Sequence, residues 1–297
     1  MILRRHFLVW VFLIVGSHGY AQEFPFIQFG QNEGLAHLQI MDITQDRNGN
    51  LWLGTATRSV YRFDGKSFFQ YKVSIKENSG SLLTLKVLPD TLNQLWILTN
   101  LGLVKFDGEK AALIYQEGNL LPGFACRLFK DQSEKVWIID NNGSVFEMLN
   151  DTLRHRKDIM DQVKGKISGY THDNKKDLVF YSFDGNSVVV NKDRSVRRDT
   201  LPRRTEGALF AIVKTTDSEI VASESGVVEF SGGNKVHIAL PDSLRDLRVR
   251  QIEKDRDGLI WLLKGGTLMV IDKNKKLHLV NRAGNQLSNG CHLPFQR

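Results

Sequence analysis

Eight histidines and two cysteines are the side chains of this 297-residue chain best suited to metal binding or nucleophilic chemistry, and their spacing favours neither. No two histidines stand four apart, the arrangement that puts two imidazoles on one helix face for zinc. His37 is retained as a candidate because it lies where the chain leads into its first alternating strand, although a solvated loop histidine is the plainer reading. Neither Gly-x-Ser-x-Gly nor a Cys/His nucleophile signature occurs. Asp46-Arg47-Asn48-Gly49-Asn50 and Asp255-Arg256-Asp257-Gly258 set oxygen atoms at alternate positions, as calcium loops do. The twelfth position counted from Asp46 is Thr57, however, where a calcium loop of the helical hand needs an acidic residue. A tight turn whose Asp and Asn cap the backbone is the better account. Carboxylates able to act as a hydrolytic pair would have to come from distant stretches, and no spacing singles them out. No catalytic residue, metal ligand or cofactor is therefore expected.

The turn at Asp46 runs straight into Leu51-Trp52-Leu53-Gly54-Thr55, and this turn-and-strand unit repeats. Trp96, Trp137 and Trp261 fall in the same register, with Val179 and Val221 assigned to the slot in two degenerate copies. The steps from 52 to 261 are then 44, 41, 42, 42 and 40 residues. A period of about 40 to 45 residues with several short strands per unit is the mark of a β-propeller blade. In the first unit the innermost strand reads Leu38 to Ile43, alternating at a period of two. The Trp strand follows, then Val60 to Phe63, the Asp64-Gly65 turn, and Phe68 to Tyr71. Asp-Gly suits a two-residue hairpin, since both central residues of that turn need positive φ. Later units place Gly102, Gly143, Gly185, Gly226 and Gly266 where the second hairpin turns back. The first unit has Arg58 there, a solvated loop residue or a side chain aimed at a ligand. The expected role of Trp52, Trp96, Trp137 and Trp261, and of the two valines, is packing between blades, rather than the sugar stacking that exposed indoles can perform.

Arg4 and Arg5, the apolar run Phe7 to Val15 and the small residues Gly19 and Ala21 read as a secretory signal over residues 1–21. An apolar core of about ten residues is too short for a spanning helix, which needs roughly 20. His6 and His18 leave with that segment. The remaining 22–297 suffice for one large all-β domain and not for a propeller plus a catalytic domain. Cys126 and Cys291 are expected as free thiols. The net charge of +7 is spread over turns such as Lys175-Lys176 and Lys275-Lys276, and export argues against a nucleic-acid partner. The expected fold is thus an all-β propeller of four-stranded antiparallel blades, about six present. Phe24 to Phe29 would supply an outer strand closing the last blade. Gly284 to Asn289 echoes Asn32 to His37 and would begin a further blade, so the expectation is an incomplete seven-bladed ring.

Asp-x-x-Gly-x-Leu-Trp-Leu-Gly-Thr followed by an aromatic-Asp-Gly hairpin resembles the two-component regulator propeller repeat of the periplasmic sensor regions of hybrid histidine kinases. The first unit matches almost residue for residue and Asp255 to Trp261 well; units two and three match in part, four and five by spacing only. In that family two seven-bladed propellers typically precede a β-sandwich, a membrane helix and a kinase, and oligosaccharides are common signals. The resemblance implies a periplasmic sensing role, with a membrane-anchored kinase region and a homodimer in a full-length form. Residues 22–297 show no phosphoacceptor histidine motif, ATP lid or helix-turn-helix.

In such a ring, the loops leading into each inner strand and those between second and third strands share one face. They carry His37, Arg58, Asn100, Asp140, Asn141, Asn142, Asp184, Glu224 and Lys264, a mixture of amides, acids and bases suited to a polyhydroxylated ligand. An exported lyase or hydrolase acting on polysaccharide, or a structural or adhesion propeller, fits the same architecture, and fold alone separates none of these.

Overall fold

The computed structural model describes residues 27–280 apart from 76–81, 91–93, 115–119, 124, 174, 200–208, 216, 225, 245–248 and 265–266. The expected signal segment, Phe24 to Phe26, Gly266, Gly284 to Asn289 and Cys291 lie outside the described residues.

Six four-stranded antiparallel sheets follow one another along the chain as the blades of a β-propeller. Blade one comprises β1 (Ile40–Gln45), β2 (Leu51–Thr55), β3 (Ser59–Phe63) and β4 (Phe68–Lys72). Blade two has β5 (Thr84–Pro89), β6 (Leu95–Thr99), β7 (Gly102–Phe106) and β8 (Ala111–Leu113), and blade three β9 (Arg127–Lys130), β10 (Val136–Ile139), β11 (Val145–Leu149) and β12 (Thr152–His155). A short α-helix, α1 (Lys157–Val163), leads to blade four: β13 (Ile167–His172), β14 (Leu178–Ser182), β15 (Ser187–Val190) and β16 (Val196–Asp199). Blade five is β17 (Leu209–Lys214), β18 (Ser218–Ser223), β19 (Gly226–Ser231) and β20 (Asn234–Ile238). Blade six is β21 (Val249–Lys254), β22 (Ile260–Lys264), β23 (Thr267–Ile271) and β24 (Leu277–Leu279).

The polar turn before each second strand has a repeated construction. Asp46 Oδ1 accepts from the backbone N–H groups of Asn48 and Asn50, both at 2.9 Å, while Oδ2 accepts from the Trp52 indole at 3.0 Å. Asp131 does the same for Trp137 at 2.9 Å, and Asp255 for Trp261 at 2.8 Å. One carboxylate therefore fixes the turn and orients an indole six residues on, which spends the oxygens that had suggested a calcium loop. The second hairpin turns back at glycines such as Gly143, held at φ 80°, where an added Cβ would lie 2.7 Å from the backbone of Ile167. Both the positive φ and the close approach call for glycine.

Trp52, Trp96 and Trp137 are buried, at 8%, 7% and 2% exposure, each in an apolar cluster shared with the following blade. In blade five the register differs from the sequence expectation: Val213 pairs with Ile220, and Ile220, not Val221, occupies the indole slot. The cause is the turn. Asp46, Asp131, Asp173 and Asp255 each close a turn with the residue four further on, whereas Thr215 N–H bonds Ser218 O, three further on. One residue fewer in the turn shifts the strand by one, so Val221 packs toward blade four and Ile220 toward blade six.

Five apolar clusters join successive blades, from one–two through five–six. Helix α1 enters the three–four cluster through Ile159 and Val163, four apart on one face. Beside it the carboxylate of Glu147, 1% exposed, pairs with Arg156 at 2.8 Å and Arg194 at 2.6 Å, tying blade three to blade four. Two clusters stay within a single blade. Leu35, Leu53, Tyr61 and Phe63 cover the outer side of blade one, and Leu268, Val270 and Val280, with Trp261 against them, cover that of blade six. Among the described residues no apolar cluster joins blade six to blade one, and Trp261 is correspondingly only partly buried. Residues 27–29 are not a strand of blade six: Phe29 packs edge-on against Phe63 of blade one at 4.7 Å, a departure from the expected closure.

Candidate functional site

The loops leading into the inner strands and the loops between second and third strands do lie side by side. Ala56 N–H bonds Gln39 O at 3.1 Å, Asn141 N–H bonds Leu121 O at 3.0 Å and Phe183 N–H bonds Lys166 O at 3.3 Å. The Asn100 side chain seals its pair of loops by accepting Leu83 N–H at 2.8 Å. Asn100, Asn141, Asn142, Asp184 and Glu224 are exposed on this face, and His37 and Arg58 are half-buried in it. His37 stands edge-on to Tyr61, with ring centroids 6.3 Å apart.

Asp140 and Lys264 lie beneath the face instead, at 2% and 1% exposure. They occupy the register held by Thr55, Thr99, Ser182 and Ser223, all buried, which end the second strand of the other blades. Thr55 and Thr99 donate across their turns to Ser59 O at 2.8 Å and Gly102 O at 2.9 Å. Asp140 accepts instead from the N–H groups of Leu121, Asn142 and Ser144 at 3.1, 2.9 and 2.8 Å. Its oxygens hold two loops together and are not offered to a ligand.

A second set of polar side chains lies just below this face, at the loop-face end of the inner strands. Five inner strands begin with a bulge, and the residue after it faces the same partner position in each blade. Asp42 pairs with Gly54, Lys86 with Leu98, Gly169 with Tyr181, Ala211 with Ala222 and Gln251 with Leu263, while Arg127, opposite Ile139, occupies that register in blade three without a bulge. Lys86 Nζ reaches Asp42 Oδ1 at 3.3 Å, with the two side chains only 10% and 14% exposed, and Val87 N–H bonds Asp42 Oδ2 at 3.0 Å. Burial raises the Asp42 carboxyl above the usual carboxylate range, with Lys86 opposing.

The positive charge of Arg127, from blade three, acts on Asp42 of blade one, on Tyr170 and Tyr181 of blade four and on Glu253 of blade six. Groups from four blades fall within one another's fields only where the inner strands converge, at the mouth of the central channel. Glu253 is open to water there yet crowded by protein. That crowding raises its carboxyl, while a hydrogen bond with Gln251 and the charge of Arg127 oppose the rise. Burial holds the Tyr170 phenol protonated, and pushes Tyr181 up to about 12. The Tyr170 ring stacks on Phe129 with centroids 3.5 Å apart. At Gly169 the hydroxyl of Tyr181 occupies the space a Cβ would take.

Sequence reasoning placed the candidates on the loops and missed this inner ring. A readable signal existed: Asp42, Lys86, Arg127 and Gln251 each stand ten residues before a tryptophan. No group of three or more His, Cys, Asp or Glu among the described residues is arranged to hold a metal ion. Cys126, beside Arg127, is a buried free thiol pushed up to about 11 by burial.

A β-propeller with a polar axial mouth and loop face is the class these features define. Residues 34–57, the first blade through its Trp strand, match the family described as two component regulator propeller. The extracellular domain of BT3049 from B. thetaiotaomicron, described as a hybrid two component system, superposes with a TM-score of 0.64 at 18% identity. The match covers 89% of this chain and 38% of that one. The extracellular domain of BT4673 from the same organism gives 0.61 at 17% identity, covering 84% and 37%. Virginiamycin B lyase from Staphylococcus aureus, in an inactive form with quinupristin, gives 0.62 at 11% identity, covering 84% and 86%. The chain therefore spans well under half of the two-component structures it resembles. No curated protein sequence matches it. At these identities the likeness is one of fold, and no helix among the described residues is long and apolar enough to cross a membrane.

Proposed function

We propose that this chain is the ligand-sensing propeller of an exported two-component signalling protein, taking an oligosaccharide or other polar ligand at the loop face and channel mouth. The convergence of Asp42, Arg127, Tyr170 and Glu253 from four blades carries this reading. It gathers acceptors and donors at one point, where a polyhydroxylated molecule needs many oriented hydrogen bonds. The exposed amides Asn100, Asn141 and Asn142 extend the same chemistry outward. The repeat in the first blade and the two extracellular neighbours support a sensor. The basic and apolar opening residues support export to the periplasm. A membrane-anchored kinase region and a homodimer belong to the same proposal.

The test is calorimetric titration of a panel of neutral and acidic oligosaccharides into the protein and into the Arg58→Ala/Asn141→Ala double variant. An Asp64→Ala variant, altered at the opposite turns, serves as control. The expected result is binding of at least one glycan, weakened in the double variant and kept in the control. Weakening by Asp64→Ala alone would place the ligand on the other face. Silence across the panel, with turnover of a polysaccharide instead, would favour the enzyme reading.

A further inference from the structure

Two cations, Lys86 and Arg127, and two carboxylates, Asp42 and Glu253, meet at the channel mouth, but only Lys86 and Asp42 close an ion pair, and the open guanidinium identifies the ligand more closely. Lys86 is neutralised by Asp42 at 3.3 Å within a largely buried pair. Glu253 is engaged by the Gln251 side chain. Arg127 forms no ion pair among the described residues, and its hydrogen bond is a single one, from Nη1 to Ala125 O at 3.3 Å. A guanidinium carries five N–H donors in a planar fork that matches a carboxylate in two-point contact. Here most of that fork is unspent, in a mouth walled by protein that weakens solvent screening. The next two positions around the ring are Gly169 and Ala211, neither with a side chain long enough to cover it. Glu253, hydrogen-bonded to Gln251, and the protonated Tyr170 phenol lie within the field of this cation and carry hydroxyl-binding chemistry.

Resting on the sensor reading above, we infer that the ligand is a polyhydroxylated carboxylate, a uronic-acid-containing oligosaccharide, whose carboxylate is anchored by Arg127 at the mouth of the channel. Its sugar hydroxyls then face Gln251, Glu253 and the loop amides. A neutral glycan would leave the guanidinium without a carboxylate in hydrogen-bonded contact. An amine-bearing ligand would meet it as a like charge.

The experiment uses a trimer of α-1,4-linked galacturonic acid, its fully methyl-esterified form and a sulfated neutral trimer, titrated by calorimetry into the protein and its Arg127→Met and Arg127→Lys variants. Thermal melts establish that the variants fold. The acid should bind more tightly than the ester by about tenfold to a hundredfold, the range that hydrogen bonds to a charged group supply. Arg127→Met should abolish that preference, and Arg127→Lys should restore only part of it, since an ammonium is a point charge without the fork. Equal binding of acid and ester, tightest binding of the sulfated trimer, or a preference surviving in Arg127→Met would overturn the inference and leave the sensor reading standing. If these three probes and the neutral panel all fail to bind, both fall.

Discussion

Trp137 and Trp261 occupy the same slot in two blades and make the same hydrogen bond, to Asp131 at 2.9 Å and Asp255 at 2.8 Å. Their surroundings differ. Trp137 is 2% exposed, lies 5.5 Å from the Phe180 ring of the next blade and has the Arg156 guanidinium 5.5 Å above it. Trp261 is partly buried among residues of its own blade. Truncating Trp137 to Ala should cost about 4 kcal/mol, within the range for large aromatic residues in cores. Truncating Trp261 should cost about 2 kcal/mol, mainly the hydrogen bond to a charged acceptor. The difference of roughly 2 kcal/mol is then the inter-blade packing that only Trp137 has. Urea unfolding followed by far-ultraviolet circular dichroism measures both, and the signal does not depend on the indole removed. Equal losses in the two variants would refute the claim that the indole slot stabilises mainly through the neighbouring blade. So would a larger loss for Trp261→Ala.

Gly169→Ala should destabilise by about 1–3 kcal/mol, the usual cost of overpacking, because the new methyl group meets the Tyr181 hydroxyl. Adding Tyr181→Phe should recover part of the loss, and no recovery would place the strain elsewhere. The thiol of Cys126, pushed up to about 11 by burial, should resist a thiol-specific reagent at pH 7.5 in a Cys291→Ser background and react on unfolding; prompt reaction in the folded protein would contradict that burial. Asp64, Asp107 and Asp272 are held below the usual carboxylate range, the first two by backbone N–H bonds and Asp272 first by His278. Such groups stabilise the fold above their unfolded-state pKa and lose that effect as pH falls through the lowered folded value. Melting temperature should therefore drop below about pH 4, and an Asp64→Asn/Asp107→Asn variant should melt lower at pH 7 with a shallower acid decline; identical profiles would count against the turn mechanism.

The blades were legible in the sequence because a tryptophan strand behind an Asp turn is a strong local signal, repeated at a steady period. The assignment slipped where that signal was weakest. With no indole in blade five, spacing alone pointed to Val221, and a turn shorter by one residue moved the slot to Ile220. Helix α1 passed unnoticed because seven residues with two apolar positions carry little periodicity. The loops carrying the candidates share one face as expected, but burial is a property of register: Asp140 and Lys264 align with Thr55 and Thr99 and sink beneath it. The axial ring was the least legible, since Asp42, Lys86, Arg127 and Glu253 sit on different strands and become neighbours only when the ring curves. Their meeting is a matter of non-local geometry.

The two single-blade clusters at the outer sides of blades one and six also bear on how the molecule breathes. Where each blade's apolar surface is shared only with its neighbours in sequence, stability adds along a line of nearest-neighbour interfaces. Among the described residues, apolar clusters hold the interior blades on both sides and the first and sixth on one. Opening should then begin at blades one and six and travel inward, so amide exchange would be slowest in β10 and β14, the second strands of blades three and four. The channel mouth draws its polar groups from both kinds of blade, Asp42 and Glu253 from the loosely held pair and Arg127 and Tyr170 from the firm centre. A ligand bridging them would join the two ends of that line, and its arrival would register as slower exchange far from any residue it touches.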